Sequence, residues 1–378
     1  MINVLLLSIF YMAYSQRGQA ICNQEIYLDV DVDEEIIDHT KLNNNTDIVL
    51  TTSKFLLLDA KLNILNTYTT PNNESHTCNL VSDHPLQNLF FLACQAAGMA
   101  PFLVAYKQIE NSSYSVFGEY QAIPTISESF SKFAIVGNTL IIPQKKKIVF
   151  FTTVIQASSW YIRTTSYVLD AQFFNSTNLN ISDFSLSPFQ QDQQDYQRIL
   201  VLDYELGVFW ADAIQRSNNL IPFNNGIINV KSSYYIPYSA RFRQVAQLKA
   251  SQNMTQFVLQ TYADSSYQFE YLLNNSYLSL STTLSKYKDW NPFSSIRINN
   301  NIFAIPYQNY QHTVVIQLFN IAVKQNDQEN NLKQEPTDLL ISASIESLIL
   351  YFNSNNTLVY RSDFDSLTLC TLSNYKVE

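Results

Sequence analysis

The segment Phe130–Pro143, FSKFAIVGNTLIIP, aligns without gaps with Phe293–Pro306, FSSIRINNNIFAIP. The two copies share the pattern F-S-x-[FI]-x-I-x-x-N-x-[LF]-x-I-P. Apolar residues on both sides of an Asn turn predict a β-hairpin that stops at a proline. An apolar strand follows each copy, KKKIVFFTT after the first and HTVVIQLFN after the second. This strand–turn–strand–loop–strand layout is typical of one β-propeller blade.

The spacing of the two copies indicates how many blades the chain holds. A separation of about 160 residues corresponds to three blades of about 54 residues or four of about 41. The whole chain of 378 residues then predicts a single all-β propeller of seven blades, with six or eight as the alternatives. Tandem β-sandwich domains are the alternative architecture, because both folds use short strands separated by regular turns. The expected blade spans are 41–80, 81–124, 125–180, 190–235, 236–286, 287–330 and 335–373.

Individual strands are predicted where β-branched and aromatic residues lie between Asn, Ser and Asp clusters. These segments are Asp47–Thr52, Phe55–Leu58, Asn88–Ala93, Phe102–Tyr106, Lys147–Thr153, Arg198–Asp203, Phe257–Tyr262, Thr313–Phe319 and Leu348–Phe352. The apolar stretch Leu86–Ala97 fits a helix or a buried strand equally well. Two polar stretches, QQDQQD at 190–195 and KQNDQENNLKQEPTD at 324–338, are expected to be long surface loops.

The two ends of the chain contain strands that could close the ring. Glu25–Val32 alternates well and precedes the first hairpin pattern, and Leu367–Leu372 is the last strand candidate. We expect these strands to pair, so that the N-terminal strand completes the last blade. Four cysteines allow three pairings. We favour Cys22–Cys370 across this seam and Cys78–Cys94 within the first or second blade.

The first residues have the features of a secretory signal peptide. Met1–Ser15 contains an apolar run too short for a comfortable membrane span, and small residues follow it. Cleavage is expected after Ser15 or Ala20, with residues 21–378 forming the propeller domain. The alternatives are a short uncleaved anchor or a buried first strand. No later apolar run reaches 18 residues, so we expect no membrane span after cleavage and a secreted or cell-surface protein.

The chain also contains eight N-x-S/T sequons, which are N-glycosylation acceptors in secreted proteins. They lie mostly in polar segments between apolar runs. They are Asn44, Asn73, Asn111, Asn175, Asn180, Asn253, Asn274 and Asn355.

Charge and motif content exclude several classes of function. The net charge is −9, which argues against a nucleic-acid partner, because binding a phosphate backbone needs clustered Lys and Arg. The basic run at 145–147 is expected to be a solvated turn. His76 and Cys78 with His84 come nearest to a metal cluster, but their spacing does not fit zinc, and we predict no metal and no cofactor.

Two acidic stretches contain carboxylates that could bind calcium or take part in catalysis. Alternating carboxylates at Asp29, Asp31 and Asp33 fit a solvated edge strand, with a calcium site outside the EF-hand class as the alternative. Asp203, Glu205 and Asp212 surround Trp210, and paired carboxylates beside an aromatic ring can hydrolyse a glycosidic bond. Neither stretch forms a catalytic motif.

The sequence therefore predicts a secreted, N-glycosylated, non-catalytic β-propeller with an extracellular interaction or structural role. Its partner would be protein, through self-assembly or contact with another extracellular protein, or glycan. One version is a repeating subunit of a cell-surface coat or filament. The alternatives are a secreted carbohydrate-active enzyme using Asp203 or Glu205, and a soluble lectin.

Overall fold

The structure, a computed structural model, describes most of the chain between residues 21 and 373. The described residues are 21–29, 34–42, 46–71, 76–86, 88–96, 99–110, 113–126, 130–231, 236, 238–262, 266–283, 291–292, 296–297, 302–308, 314–320, 337–341, 350–353, 357–363 and 366–373. Within them the only helical segment is one 3-10 turn, Leu273–Asn275. No helix in this part of the chain is long and apolar enough to cross a membrane.

The described strands form seven antiparallel sheets, numbered here in chain order. Sheet 1 contains β2 (Ile36–Lys41), β3 (Asp47–Thr51), β4 (Lys54–Leu58) and β5 (Ile64–Thr69). Sheet 2 contains β6 (His76–His84), β7 (Leu89–Ala96), β8 (Phe102–Glu110), β9 (Ser113–Val116) and β10 (Gln121–Ala122). Sheet 3 contains β11 (Ala134–Val136), β12 (Thr139–Gln144), β13 (Lys147–Ile155) and β14 (Trp160–Asp170).

Sheets 4 to 7 repeat this arrangement. Sheet 4 contains β15 (Ile181–Gln191), β16 (Gln194–Asp203), β17 (Gly207–Arg216) and β18 (Asn219–Ile228). Sheet 5 contains β19 (Phe242–Ser251), β20 (Met254–Thr261), β21 (Ser266–Leu272) and β22 (Tyr277–Thr283). Sheet 6 contains β23 (Asn291–Pro292), β24 (Ile296–Arg297), β25 (Ile302–Gln308), β26 (Val314–Asn320) and β27 (Thr337–Ile341). Sheet 7 contains β28 (Leu350–Asn353), β29 (Thr357–Asp363), β30 (Ser366–Ser373) and β1 (Ile21–Asp29).

Every sheet has four strand positions. In sheet 2 the fourth position is interrupted, because β9 and β10 both pair with β8. In sheet 6 the first position is interrupted in the same way, because β23 and β24 both pair with β25. The all-β prediction is confirmed, and so are the nine predicted strands. The stretch that fitted helix or strand is a strand, β7.

The strands divide between two compact units. Residues 30–285 form one unit with sheets 1 to 5, and residues 1–29 with 286–378 form the other with sheets 6 and 7.

The middle strands of sheets 1 to 5 are buried on both faces. Successive side chains of a strand point to opposite faces, so an uninterrupted apolar strand needs a neighbour on each side. Phe90 and Leu92 of β7 share a core with Ile48 of sheet 1. Phe91, between them, shares a core with Leu140 of sheet 3. Sheet 2 is therefore covered on both faces.

The same alternation continues through sheets 3, 4 and 5. Ile141 of β12 shares a core with Ile199 of β16, and the next residue of β16, Leu200, shares a core with Phe257 of β20. Each fully buried side chain of this size stabilises the fold by about 1.5–3 kcal/mol. Sheets 1 to 5 thus pack face to face in chain order.

Sheet 7 joins the two ends of the chain. β1 pairs antiparallel with β30, with Leu28 opposite Leu367 and Glu25 opposite Cys370. The predicted pairing of the N-terminal strand with the last strand is confirmed. Cys22 and Cys370 lie on these paired strands, but their side chains are outside the described residues, so this disulfide stays a prediction. The structure contains a disulfide bond between Cys78 and Cys94, which are directly opposite each other on β6 and β7.

Several sequence-based expectations about segment bounds are wrong. The QQDQQD stretch at 190–195 is not a long loop but the end of the β15–β16 hairpin, closed by Asp192 and Gln193 with φ of 51° and 62°. Paired left-handed residues form the tight turn that suits antiparallel strands. The first blade span of 41–80 begins and ends too late, because β2 starts at Ile36 and β6 already belongs to sheet 2. The span of 190–235 begins too late and that of 287–330 ends before β27 of the same sheet. The strands expected to stop at a proline continue past it, because Pro143 and Pro306 are paired inside β12 and β25. Most of the polar stretch 324–338 lies outside the described residues.

Candidate functional site

A cluster of exposed aromatic and basic residues lies at one end of sheets 4 and 5. Its described residues belong to the β16–β17 turn, to the chain between β18 and β19, and to the residue that follows β20. They lie at the same end because strand direction alternates along each sheet. Tyr238 is 85% exposed, Tyr262 58% and Leu206 48%. We call this cluster the Tyr204 patch; its members are Tyr204, Leu206, Lys231, Tyr238, Arg241 and Tyr262.

The β16–β17 turn is shaped by Asp203. One carboxylate oxygen accepts hydrogen bonds from the backbone N–H groups of Glu205 (2.9 Å) and Leu206 (2.7 Å). The other accepts from the N–H of Asn180 at 2.6 Å. Such an Asx arrangement mimics a backbone turn. Gly207 then has φ of 123°, and a Cβ there would lie 2.8 Å from Val230, so the turn requires glycine. Tyr204 and Leu206 lie on this rigid loop.

Backbone hydrogen bonds tie the turn to sheet 5. The N–H of Phe242 donates to the carbonyl of Tyr204 at 2.9 Å, and the N–H of Tyr262 donates to the carbonyl of Arg241 at 3.0 Å. The Tyr204 and Tyr262 rings contact edge to face, with centroids 5.6 Å apart. The patch is therefore fixed by the backbone of both sheets rather than by side-chain contacts alone.

Two cations of the patch are held over aromatic rings. The Arg241 guanidinium lies 5.3 Å from the centroid of Tyr204 and donates to its hydroxyl at 3.2 Å. The Lys231 ammonium lies 5.4 Å from the ring of Tyr238 and 5.9 Å from that of Phe242. At an exposed site, one cation–π contact of this kind contributes about 0.5–1 kcal/mol to holding the cation over the ring.

Toward the opposite end of these sheets, near the β19–β20 turn, a buried guanidinium joins sheets 4 and 5. Arg198 on β16 is 0% exposed and makes a two-point contact with Asp212 of β17, at 2.8 and 2.9 Å. Its remaining terminal nitrogen donates to the carbonyls of Ser251 and Met254 in the β19–β20 turn, at 2.7 and 2.9 Å. Burial raises the pKa of Asp212, and Arg198 opposes that rise. The planar fork suits this role because it donates to several acceptors at once.

The first strands of neighbouring sheets are joined by a repeated polar contact. Asp38 of β2 accepts a hydrogen bond from the N–H of Val81 on β6 at 2.8 Å. Asp183 of β15 accepts the equivalent bond from Val245 on β19 at 3.1 Å. Each aspartate follows a β-bulge near the start of its strand. Asp183 also pairs with Lys132 at 3.1 Å. Bulges re-aim side chains, which here places a carboxylate against the next sheet.

Sheets 1 and 2 bury several titratable groups. Burial raises the pKa of Asp38 and of Asp47 to about 6, and that of Asp83 to about 7. Burial lowers the pKa of His84 to about 4. Asp47 is 0% exposed, and neither of its oxygens has a hydrogen-bond partner among the described residues. An ionised carboxylate in that position costs free energy.

The residues considered for glycoside hydrolysis have structural roles or are separated. Asp203 shapes its turn and Asp212 is bound by Arg198. The register pairs Asp203 with Gly207 and Arg198 with Asp212, so the two carboxylates lie about 17 Å apart along the hairpin. That distance exceeds the roughly 5–10 Å that a glycosidase pair needs. Glu205 is exposed at the edge of the Tyr204 patch.

The other candidate positions divide between described and undescribed residues. Cys78 is in a disulfide and His84 lies six residues further along the same strand, so the two do not form a metal site. The described residues contain no group of three or more metal-ligating side chains. The acidic stretch considered for calcium falls mainly on residues outside them. Lys145 and Lys146 form an exposed turn, as predicted.

Three of the eight sequons have exposed Asn side chains. Asn175 lies in the connection between sheets 3 and 4, Asn253 in the β19–β20 turn and Asn274 before β22. Asn180 is half-buried, immediately before β15. The asparagines of the other four, at 44, 73, 111 and 355, lie outside the described residues.

Comparison with known proteins places the fold but not the family. No protein-family model and no curated protein matches the chain. Among solved structures, the WD40 repeats of RRP9 align with a TM-score of 0.54 and 9% identity, over 94% of this chain and 99% of theirs. Chaetomium thermophilum Raptor aligns with a TM-score of 0.55 and 10% identity, over 95% of this chain. The chain spans only 29% of the Raptor chain. The fold is β-propeller-like.

We expect the buried Arg198 contact to contribute strongly to stability. Arg198→Met leaves Asp212 buried without its cation, which costs about 3–5 kcal/mol. The double variant Arg198→Met/Asp212→Leu should recover at least half of that loss, because an apolar pair replaces both charges. Urea denaturation measures both values. Lys132→Met removes the ion pair between Asp183 and Lys132, whose side chain is 44% exposed. This variant should lower the free energy of unfolding by about 1 kcal/mol or less. An equal loss in all three variants would contradict this assignment.

We expect Asp47 to make stability depend on pH. Its folded-state pKa of about 6 lies above the ordinary value of 3.8, so folding favours the protonated carboxyl. The stability that this group contributes is therefore present below pH 4 and is lost as the pH rises through 6. Asp47→Asn removes this loss. The stability of the variant relative to wild type should therefore rise by up to about 3 kcal/mol between pH 4 and pH 7, measured by urea denaturation at each pH.

Asp59→Asn provides the control of opposite sign. Although burial acts to raise the pKa of Asp59, hydrogen bonds from Asn63 and Lys61 outweigh it and lower the pKa. This variant should lose stability relative to wild type as the pH rises. A flat pH profile for Asp47→Asn would refute the role of Asp47.

Proposed function

We propose that this protein is a secreted, N-glycosylated, non-catalytic β-propeller that acts as an extracellular interaction protein. In this proposal the seven sheets are the seven blades of one closed ring, with β1 completing the last blade. The pairing of β1 with β30 supports closure, because it combines the two ends of the chain in one sheet. The signal-peptide features of residues 1–20 support secretion.

The Tyr204 patch is the observation that carries the proposed role. Tyrosine and arginine are enriched at protein interfaces and dominate their binding energy. Here three exposed apolar or aromatic side chains and two cations lie together, and backbone hydrogen bonds hold Tyr204, Arg241 and Tyr262 in place. Docking therefore loses little free energy to ordering these three residues.

Two of the three exposed sequon asparagines lie away from the patch, whereas the half-buried Asn180 adjoins the β16–β17 turn through its hydrogen bond to Asp203. Asn253 and Asn274 both lie at the end of sheet 5 opposite the patch, since they occupy the first-to-second and third-to-fourth strand connections. Glycans on these two residues would leave the patch accessible.

The patch favours a protein interface over a lectin with several equivalent sugar sites. Tyr204 and Tyr262 are equivalent, because each directly follows the second strand of its sheet. The equivalent residues of sheets 1 and 3 are Thr52 and Lys145, which offer no ring for stacking on a sugar. The aromatic position is therefore not repeated in sheets 1 and 3.

Site-specific cross-linking tests the proposal. The photoreactive residue p-benzoylphenylalanine replaces Tyr238 in the patch or, as control, Tyr277, which is 57% exposed at the opposite end of sheet 5. Each purified variant is incubated with the medium and surface fraction of the source cells and irradiated. We expect discrete protein adducts from position 238 that excess wild-type protein suppresses, and none of these from position 277. Identical adducts from both positions, or none from 238, would contradict a docking role for the patch.

A further inference from the structure

The two cations of the Tyr204 patch have aromatic neighbours but no carboxylate partners. Among the described residues, neither Lys231 nor Arg241 is within ion-pair distance of an Asp or Glu. Glu205 acts on Arg241 only through space. By contrast, Lys132 and Arg198 are each paired with an aspartate. The chain holds 32 acidic and 23 basic residues, so its sequence contains enough acidic residues to pair with these cations.

The Arg241 guanidinium is held with donors to spare. Its one hydrogen bond, to the Tyr204 hydroxyl, uses a single terminal nitrogen. The guanidinium carbon also lies 5.3 Å from the centroid of the Tyr204 ring. The remaining N–H groups have no acceptor among the described residues. A guanidinium fixed in this way is suited to a carboxylate, which it binds through two parallel hydrogen bonds.

Lys231 provides a second positive charge on the same surface. Its ammonium overlies Phe242, the residue that follows Arg241, and Tyr238 lies beside it. Leu206, Tyr238 and Tyr262 are exposed side chains of the same patch. This combination offers two separate points for carboxylates and an apolar surface for the side chains between them.

We propose that the Tyr204 patch binds an acidic peptide segment of a partner protein, with one carboxylate on Arg241 and another near Lys231. This inference rests on the proposed function and specifies its partner. The charge of the patch is opposite to that of the segment, and the exposed rings match apolar residues interspersed with the acidic ones. Two cations are few for a sulfated polysaccharide, which favours the peptide over an anionic glycan.

Fluorescence anisotropy tests this inference on the full mature protein. The probe is a fluorescein-labelled octapeptide of six glutamates around a central Phe-Leu pair, and the control replaces all glutamates with glutamines. We expect the acidic peptide to bind at least 10-fold more tightly than the neutral one, with affinity that falls as salt rises. Arg241→Glu and Lys231→Glu should each weaken binding at least 10-fold.

Lys249→Glu is the matched control, because it makes the same change in charge at an exposed position near the other end of β19. It should change the affinity less than 2-fold. Equal binding of the acidic and neutral peptides, or equal loss in all three variants, would overturn the proposal. Displacement of the peptide by a heparin tetrasaccharide at 10-fold lower concentration than by unlabelled peptide would also overturn it, in favour of an anionic glycan. Cross-linking at position 238 without a preference for acidic peptide would refute this inference and leave the proposed function standing.

Discussion

The fold of sheets 1 to 5 depends on their central strands, which are buried on both faces. A sheet built on such strands cannot leave either face in water, so it needs a neighbouring sheet on each side. The alternation of Phe90, Phe91 and Leu92 between two cores shows this constraint directly. Sheets 1 to 5 satisfy it by packing in chain order. The proposed closed ring would meet the same requirement at the two ends of the series of sheets.

Apolar packing does not by itself fix how neighbouring sheets are aligned, and polar contacts add that information. Asp38 and Asp183 accept backbone hydrogen bonds from the next sheet, and Arg198 donates from sheet 4 to carbonyls of sheet 5. Buried hydrogen bonds of this kind are directional, so a shifted alignment would leave charged groups unsatisfied. The Tyr204 patch is built across the same two sheets. Its geometry is therefore a consequence of the contacts that align them.

The sequence predicted the parts of the structure that depend on local pattern. Strand positions, the pairing of β1 with β30 and the turn at Lys145 followed from alternation and turn residues. The interactions between sheets could not be predicted, because their partners are far apart in the chain: Asp183 and Val245 are 62 residues apart. The stretch around Asp203 and Asp212 did stand out by its acidic residues. Its local pattern could not show that one carboxylate shapes a turn and the other neutralises a buried arginine.

The most direct test of the proposed ring is single-particle electron microscopy of the purified protein. Seven blades in one closed ring would give class averages of one ring with seven radial densities. Two separate lobes, as tandem β-sandwiches would give, would contradict it, and so would a ring with a different number of densities.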